Sequence, residues 1–296
     1  MSIALQVALV MVTILVVLLV IGAPIGVAIG MSSAVSMICM IPADVSFATS
    51  AQRIFAGSNS FSLIAIPFFI LAGNIMNNGG IATRLVNCAK VISGRMPGAL
   101  AQSNVVANML FGAISGSGAA AAAAMGGTIG PLEEKEGYDK NYSTAVNVAS
   151  APVGMLIPPS NTMIVYSSVA GSVSIAALFM AGYIPGLLWG GAVMILAGIM
   201  AKKRGYQAEQ RVPVKVALKT FWQAIPSLLL IVIVIGGILG GIFTATEGSA
   251  IAVVYATVLS LIYKAFKIKD IPRIVLEAAK TTGIITFMIG LSSIMS

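Results

Sequence analysis

Apolar residues run along this chain in long uncharged blocks, at 1–43, 54–83, 96–132, 141–201, 220–246 and 248–263. A membrane-spanning helix needs about 20 such residues, so each block reaches or approaches one span, and the first and fourth have room for two. Between the blocks, 14 of the 17 Lys and Arg residues fall in three short segments, 84–95, 202–219 and 264–280. Basic residues in short loops hold those loops in the cytoplasm. With all three inside, residues 3–21 cross inward, 22–24 turn, 25–42 return, 43–60 connect outside and 62–78 cross inward again. Residues 81–95 then read as an amphipathic surface helix with Ile81, Leu85, Val86, Ala89 and Ile92 on one side, or as a plain cytoplasmic loop.

The block 96–132 must leave the chain on the side from which residues 141–201 can reach the basic segment at 202. If it enters and leaves on the cytoplasmic side, residues 141–201 can cross twice and still end there. This favours a re-entrant hairpin with its tip at Ser115, Gly116, Ser117 and Gly118, small residues that permit a sharp turn and close helix contact. The next span, 143–170, is interrupted by the prolines of Leu-Ile-Pro-Pro-Ser-Asn at 156–161. Each proline removes a backbone donor and disfavours helix at the preceding residue. Backbone freed at membrane depth must face protein, water or an ion. A discontinuous helix beside a re-entrant hairpin is a recurrent way to build a midplane ion site.

The chain continues with a helix over 174–200, a basic linker over 202–219, spans at 222–243 and 248–263, and the start of another at 281–296. This repeats the order of the first half in opposite orientation, as transporters often do. The third spans share Phe68, Ile70, Ile75 and Met76 with Phe287, Ile289, Ile294 and Met295. The expected fold is therefore an all-α polytopic membrane protein with inverted repeats. Its parts are scaffold helices and the amphipathic connection over 1–95, and a first transport half over 96–201 with the hairpin at 96–132, the broken helix at 141–170 and the helix at 174–200. The linker at 202–219 and second scaffold helices over 220–296 complete the order, with a second hairpin expected beyond residue 296.

Composition agrees: 58% of residues are hydrophobic and 9% charged, against about 25% charged in soluble domains. The net charge of +8 reflects the three cytoplasmic segments rather than a nucleic-acid partner. No basic segment precedes the first apolar stretch, as a signal peptide would require. Cys39 and Cys88 are isolated and imply no disulfide framework. The chain has no histidine, which excludes imidazole metal sites and His-based acid or base catalysis. Ser115 and Ser117 lack a visible base, and Gly116 to Gly127 lacks the Gly-Lys-Ser/Thr of a phosphate loop, so neither an enzyme nor a cofactor is expected. Proton coupling normally needs an ionisable group in the membrane, and only Glu247 is a candidate, more simply read as a helix-start carboxylate. Without buried acids, a sodium ion held by neutral oxygens and an anionic substrate at helix N-termini fit best.

The stretches SGSGAAAAAAMGGTIGP, EEKEGYDK and ASAPVGMLIPPSN, with GAPIGVAIG near the start and FTATEGSAIAVVYA in the second repeat, resemble the large membrane subunit of tripartite ATP-independent periplasmic (TRAP) transporters. The resemblance covers essentially the whole chain. It implies an elevator-type permease of a bacterial inner membrane, working with a small Q-type membrane subunit and a periplasmic P-type binding protein that delivers an organic acid. Sialic acid is nearest in general impression, with C4-dicarboxylates next. Carried over by motif, the sodium site would comprise Ser115, Gly116, Ser117, Pro158, Pro159, Ser160 and Asn161. Ser103 and Asn104 are secondary candidates for ion or substrate contact, a packing role being equally open. A standalone sodium and anion symporter and a non-transporting membrane scaffold stay as alternatives.

Overall fold

The computed structural model describes residues 3–171, 173–206 and 213–295, and is helical throughout, with no strand among the described residues. The helices are α1 (Ile3–Val20), α2 (Ile25–Ile38), α3 (Ala43–Ser58), α4 (Ala65–Asn78), α5 (Ile81–Ser93), α6 (Ala99–Ser115), α7 (Gly118–Thr128) and α8 (Gly130–Lys135). They continue as α9 (Lys140–Ser150), α10 (Val153–Leu156), α11 (Asn161–Ala170), α12 (Ile175–Lys203), α13 (Val214–Leu239), α14 (Ala245–Ile262) and α15 (Ile271–Ser292). Among the described residues five helical segments are long and apolar enough to cross a membrane: Phe61–Asn78, Ile175–Lys203, Val214–Leu239, Ala245–Ile262 and Ile268–Ser292. A sixth is the bent pair Lys140–Leu156 and Asn161–Ala170, whose halves meet at 50°.

The chain forms two compact units, one of residues 1–63 and 279–296 and the other of 64–278. In the first, α1 turns at Gly22 (φ +87) and packs against α2, which packs in turn against α3. The end of α15 lies on α2 where Gly26 and Gly30 leave room for Leu291, and on α3 beside Gly57. In the second unit, α14 packs along α4, α13 against α5, and α5 against α6. Helices of the two sequence halves are thus interleaved in each unit: α2 meets α15 in one, and α4 meets α14 in the other.

Several elements depart from the sequence expectation. Residues 43–60, expected as an external connection, form α3, whose Ser46 hydroxyl donates to the Ala34 carbonyl at 3.3 Å and ties it to α2. The span expected over 25–42 ends as helix at Ile38, so α2 is roughly 21 Å long, short of the hydrocarbon thickness. Helix α5 carries the expected apolar stripe, which packs against α6 and α13, while Thr83 and Asn87 on its other side are exposed. Ile81, Leu85, Val86 and Ala89 are buried, Cys88 joins them, and Ile92 in the last turn is exposed. Helix α13 begins at Val214, inside the basic segment, with Pro213 at its N-cap. Helix α15 begins ten residues ahead of the expected span, where Pro272 suits a first turn whose N–H groups need no partner. Residues 207–212 of the expected linker and Ser296 lie outside the described residues.

Candidate functional site

The hairpin tip is built from four small residues with different duties. Helix α6 ends at Gly116, whose φ of +61 is the left-handed conformation that closes a helix and that glycine adopts without penalty. Ser117 is extended and caps α7, its hydroxyl accepting from the Ala120 N–H at 3.3 Å. The Ser115 hydroxyl, buried, lies 3.4 Å from both the N–H and the carbonyl of Ser117. Two residues therefore reverse the chain, and α7 returns along α6.

The broken helix meets this tip. After α10 the chain runs extended from Ile157 (φ −83, ψ 124) to Ser160 (φ −124, ψ 122) through a cis bond between Pro158 and Pro159, and α11 begins at Asn161. Pro158, Pro159, Ser160 and Asn161 are all buried. The Ser160 hydroxyl donates back to the Met155 carbonyl, satisfying one acceptor left open where α10 ends. Asn161 reaches across the gap, its Nδ2 donating to the Ser115 carbonyl at 3.4 Å. A Cβ on Gly116 would stand 2.9 Å from the Asn161 backbone nitrogen, so only glycine fits. The ends of α6 and α10 and the starts of α7 and α11 thus converge, mixing carbonyl and N–H ends in one place. Asn161 Oδ1 is buried there without a hydrogen-bond partner.

Of the residues singled out from sequence, Ser115, Gly116, Ser117, Pro158, Pro159, Ser160 and Asn161 come together at this junction. Ser103 and Asn104 do not. They sit eleven or more residues back along α6, roughly 16 Å from the tip at 1.5 Å per residue. The Ser103 hydroxyl donates to the Ala99 carbonyl (2.7 Å) and pairs with Ser93 (2.9 Å), a packing role. Asn104 accepts from Asn108 Nδ2 at 3.0 Å, and Asn108 also donates to Asn147 (3.0 Å) and Ser150 (2.8 Å), a polar seam between α6 and α9.

Three features escaped the sequence reading. Gly112 of α6 and Gly154 of α10 cross so closely that a Cβ on either would lie 2.3 Å from the other's Cα. Gly73 of α4 admits Ser115 in the same way, a Cβ there standing 3.0 Å from the Ser115 Cα. Glycine inside an apolar helix was the available signal for both. The third is Glu133, the first acid of a Glu-Glu-Lys-Glu run that reads as a solvated turn. It is 1% exposed at the base of the hairpin, on the wall of a cavity of about 360 Å³ that Asn104, Glu134, Lys140, Ser143 and Asn147 also line. Burial pushes its carboxyl above the usual range, a shift that the nearby Ser143 hydroxyl and Asn104 amide oppose. Glu247, in contrast, is an exposed helix-start carboxylate: it accepts from the Thr244 N–H at 2.7 Å and hydroxyl at 2.9 Å in a capping box.

The turn before α9 is latched to the end of α12. Asp139 caps α9 by accepting from the Tyr142 N–H at 2.9 Å and pairs with Arg204 at 3.1 Å, while its own N–H donates to the Tyr206 hydroxyl at 2.8 Å. The Tyr142 N–H, together with the Arg204 guanidinium, holds the Asp139 carboxyl below the ordinary carboxylate range. Tyr138 and Tyr206 stack with ring centres 4.3 Å apart, and the Tyr142 hydroxyl donates to the Ala197 carbonyl at 2.8 Å.

Residues 12–296 match the family described as tripartite ATP-independent periplasmic transporter, DctM component. The uncharacterized protein YgiK of Salmonella typhimurium is 50% identical over 265 residues, covering 90% of this chain and 61% of its own length. The C4-dicarboxylate TRAP transporter large permease protein DctM of Rhodobacter capsulatus is 37% identical over 255 residues, 81% of this chain and 58% of the relative. The sialic acid TRAP transporter large permease protein SiaM of Vibrio cholerae is 38% identical over 245 residues, 81% of this chain and 56% of the relative. The chain thus spans about six-tenths of the length of these relatives.

Proposed function

The chain belongs to the DctM component family of tripartite ATP-independent periplasmic transporters, and from that premise we propose that it is the membrane-embedded part of a sodium-coupled large permease for a small organic acid. The observation that carries this reading is the meeting of Ser115, Gly116 and Ser117 with Asn161 and its neighbour Ser160, where the end of α6 and the starts of α7 and α11 come together. Carbonyl and hydroxyl oxygens can replace the water shell of a sodium ion without a charged ligand. Asn161 Oδ1, buried and unpartnered, is a further neutral oxygen of that kind. The N-termini of α7 and α11 bring positive dipole ends to the same junction, which suits a substrate carboxylate. The residues present therefore fit the ion: Ser115, Gly116 and Ser117 would hold it from the hairpin, and Pro158, Pro159, Ser160 and Asn161 from the broken helix.

On this reading a periplasmic binding protein delivers the substrate, a small membrane subunit accompanies the permease, and the site is carried across the membrane by an elevator movement. Relatives named for C4-dicarboxylate and for sialic acid match this chain at 37% and 38% identity, so their similarity does not choose between those acids. We place sialic acid first and C4-dicarboxylates second.

The test is uptake of each labelled acid into proteoliposomes holding the full-length protein under an inward sodium gradient, with and without the binding protein. Uptake that needs both sodium and the binding protein is the expected result. Uptake with sodium alone would replace the tripartite reading with a standalone carrier. The double variant Ser115→Ala, Ser160→Ala should lose sodium dependence while staying folded; unchanged transport and sodium affinity would refute the site.

A further inference from the structure

Glu133 poses a problem that the junction at the hairpin tip does not solve. Its carboxylate is buried, and neither oxygen has a hydrogen-bond partner. Around it stand two buried groups that also lack partners, the Asn104 amide nitrogen and the Ser143 hydroxyl. Both are near enough to stabilise a negative charge, but neither forms a hydrogen bond of good geometry with it. Lys140 and Glu134 line the same cavity, and the Tyr142 phenol feels the charge of Glu133. Tyr138 also lines that cavity, while α6 and α7, which pack against α8, contribute no ionisable group. No basic side chain among the described residues forms an ion pair with Glu133.

A lone buried carboxylate avoids its desolvation cost by taking a proton or by holding a cation. Among the described residues no cluster of three ionisable ligands exists for a multivalent metal. The Asn104 amide nitrogen is a donor, suited to a carboxylate and unable to serve as a cation ligand. The amide oxygen of Asn104 accepts from Asn108, which turns its nitrogen the other way.

We propose that Glu133, flanked by Asn104 and Ser143, is a proton-binding site that exchanges with the cavity at the base of the hairpin. Protonated, the carboxyl sits neutral in its pocket. Deprotonated, it draws the Asn104 and Ser143 donors into well-aligned hydrogen bonds and tightens α8 against α6 and α9. Proton occupancy is thereby linked to the packing of the hairpin base, without reference to which substrate the protein carries.

The experiment is infrared difference spectroscopy of the full-length protein in lipid, stepping from about pH 5 to about pH 9, above the ordinary glutamate value of about 4.3. The wild type should show one carboxylic C=O band that disappears as pH rises. Glu133→Gln should abolish it, Glu134→Gln should keep it, and Glu133→Asp should displace it, which covers the event that the glutamine variant fails to fold. Absence of a titrating band, or its survival in Glu133→Gln, would overturn the proposal. Loss of the band at fixed pH on adding sodium chloride but not choline chloride would also overturn it, since the cavity would then hold an alkali ion. Thermal unfolding gives an independent reading. A carboxyl whose proton affinity is raised on folding adds stability at low pH that disappears as pH rises through its folded value. Glu133→Gln should therefore flatten that decline, and an unchanged decline would count against the site.

Discussion

Replacing Gly112 with alanine tests whether the candidate ion site depends on the closeness of two helices behind it. The new Cβ would lie 2.3 Å from Gly154 Cα, with the Gly154 nitrogen and carbonyl carbon at 3.2 and 3.3 Å. Ordinary contact begins at 3.4 Å, so the helices must part by about 1.1 Å, and the obstacle is backbone that no rotamer change can move. Overpacking of this kind costs about 1–3 kcal/mol. The displacement matters more than the energy, because Gly112 precedes Ser115 by less than one turn. The contact from Asn161 Nδ2 to the Ser115 carbonyl is already 3.4 Å long, and a further separation of about 1 Å breaks it. Thermal unfolding in detergent with and without sodium should show both a lower midpoint and a smaller sodium-induced rise. Gly191→Ala in α12, where a Cβ meets nothing within 4 Å, is the control and should cost neither stability nor sodium response. A Gly112→Ala protein with wild-type midpoint and sodium response would refute the reasoning, as would equal damage from Gly191→Ala.

Gly116→Ala should abolish the sodium response at an added cost of about 1–2 kcal/mol for the left-handed backbone. Gly116→Asn, which tolerates that backbone, should not restore the response, because space beside Asn161 is the tighter limit; ion-dependent stabilisation of both variants decides this. The Asp139 carboxyl is held low in the folded state, so the stability it gives is present above the ordinary carboxylate range and lost as pH falls through its folded value. Asp139→Asn keeps a capping oxygen but should remove that acid-side decline, measured as unfolding midpoint against pH. Tyr142→Phe removes a second, buried donor from the Ala197 carbonyl, which keeps its place in the α12 ladder, so a loss of about 0.5–1.5 kcal/mol is expected and chemical denaturation should register it.

Much of the site was legible because its parts are local devices. A left-handed helix end needs Gly116, a helix start favours Ser117, and a proline pair ends α10, each rule acting over a few residues. What brought those parts together was not local. The contact of Asn161 with Ser115 joins residues 46 apart in the chain, and it exists because Gly112 and Gly154 let α6 and α10 cross without side chains between them. Polarity alone left Ser103 and Asn104 open between ion contact and packing, and α6 carries both about three turns from the tip, where Ser103 bonds to Ala99 and Ser93 and Asn104 to Asn108.

The sequence by itself determined the membrane class, most span positions and the two breaks, since uncharged length, basic clusters and backbone-breaking residues act through the bilayer and the local chain. Tertiary structure alone decided which helix ends meet, what the apolar stripe of α5 packs against, and that Glu133 is buried. The reason is that a residue's burial belongs to its neighbours. An acid in a charged run is solvated unless another helix covers it, and nothing in the run announces the cover.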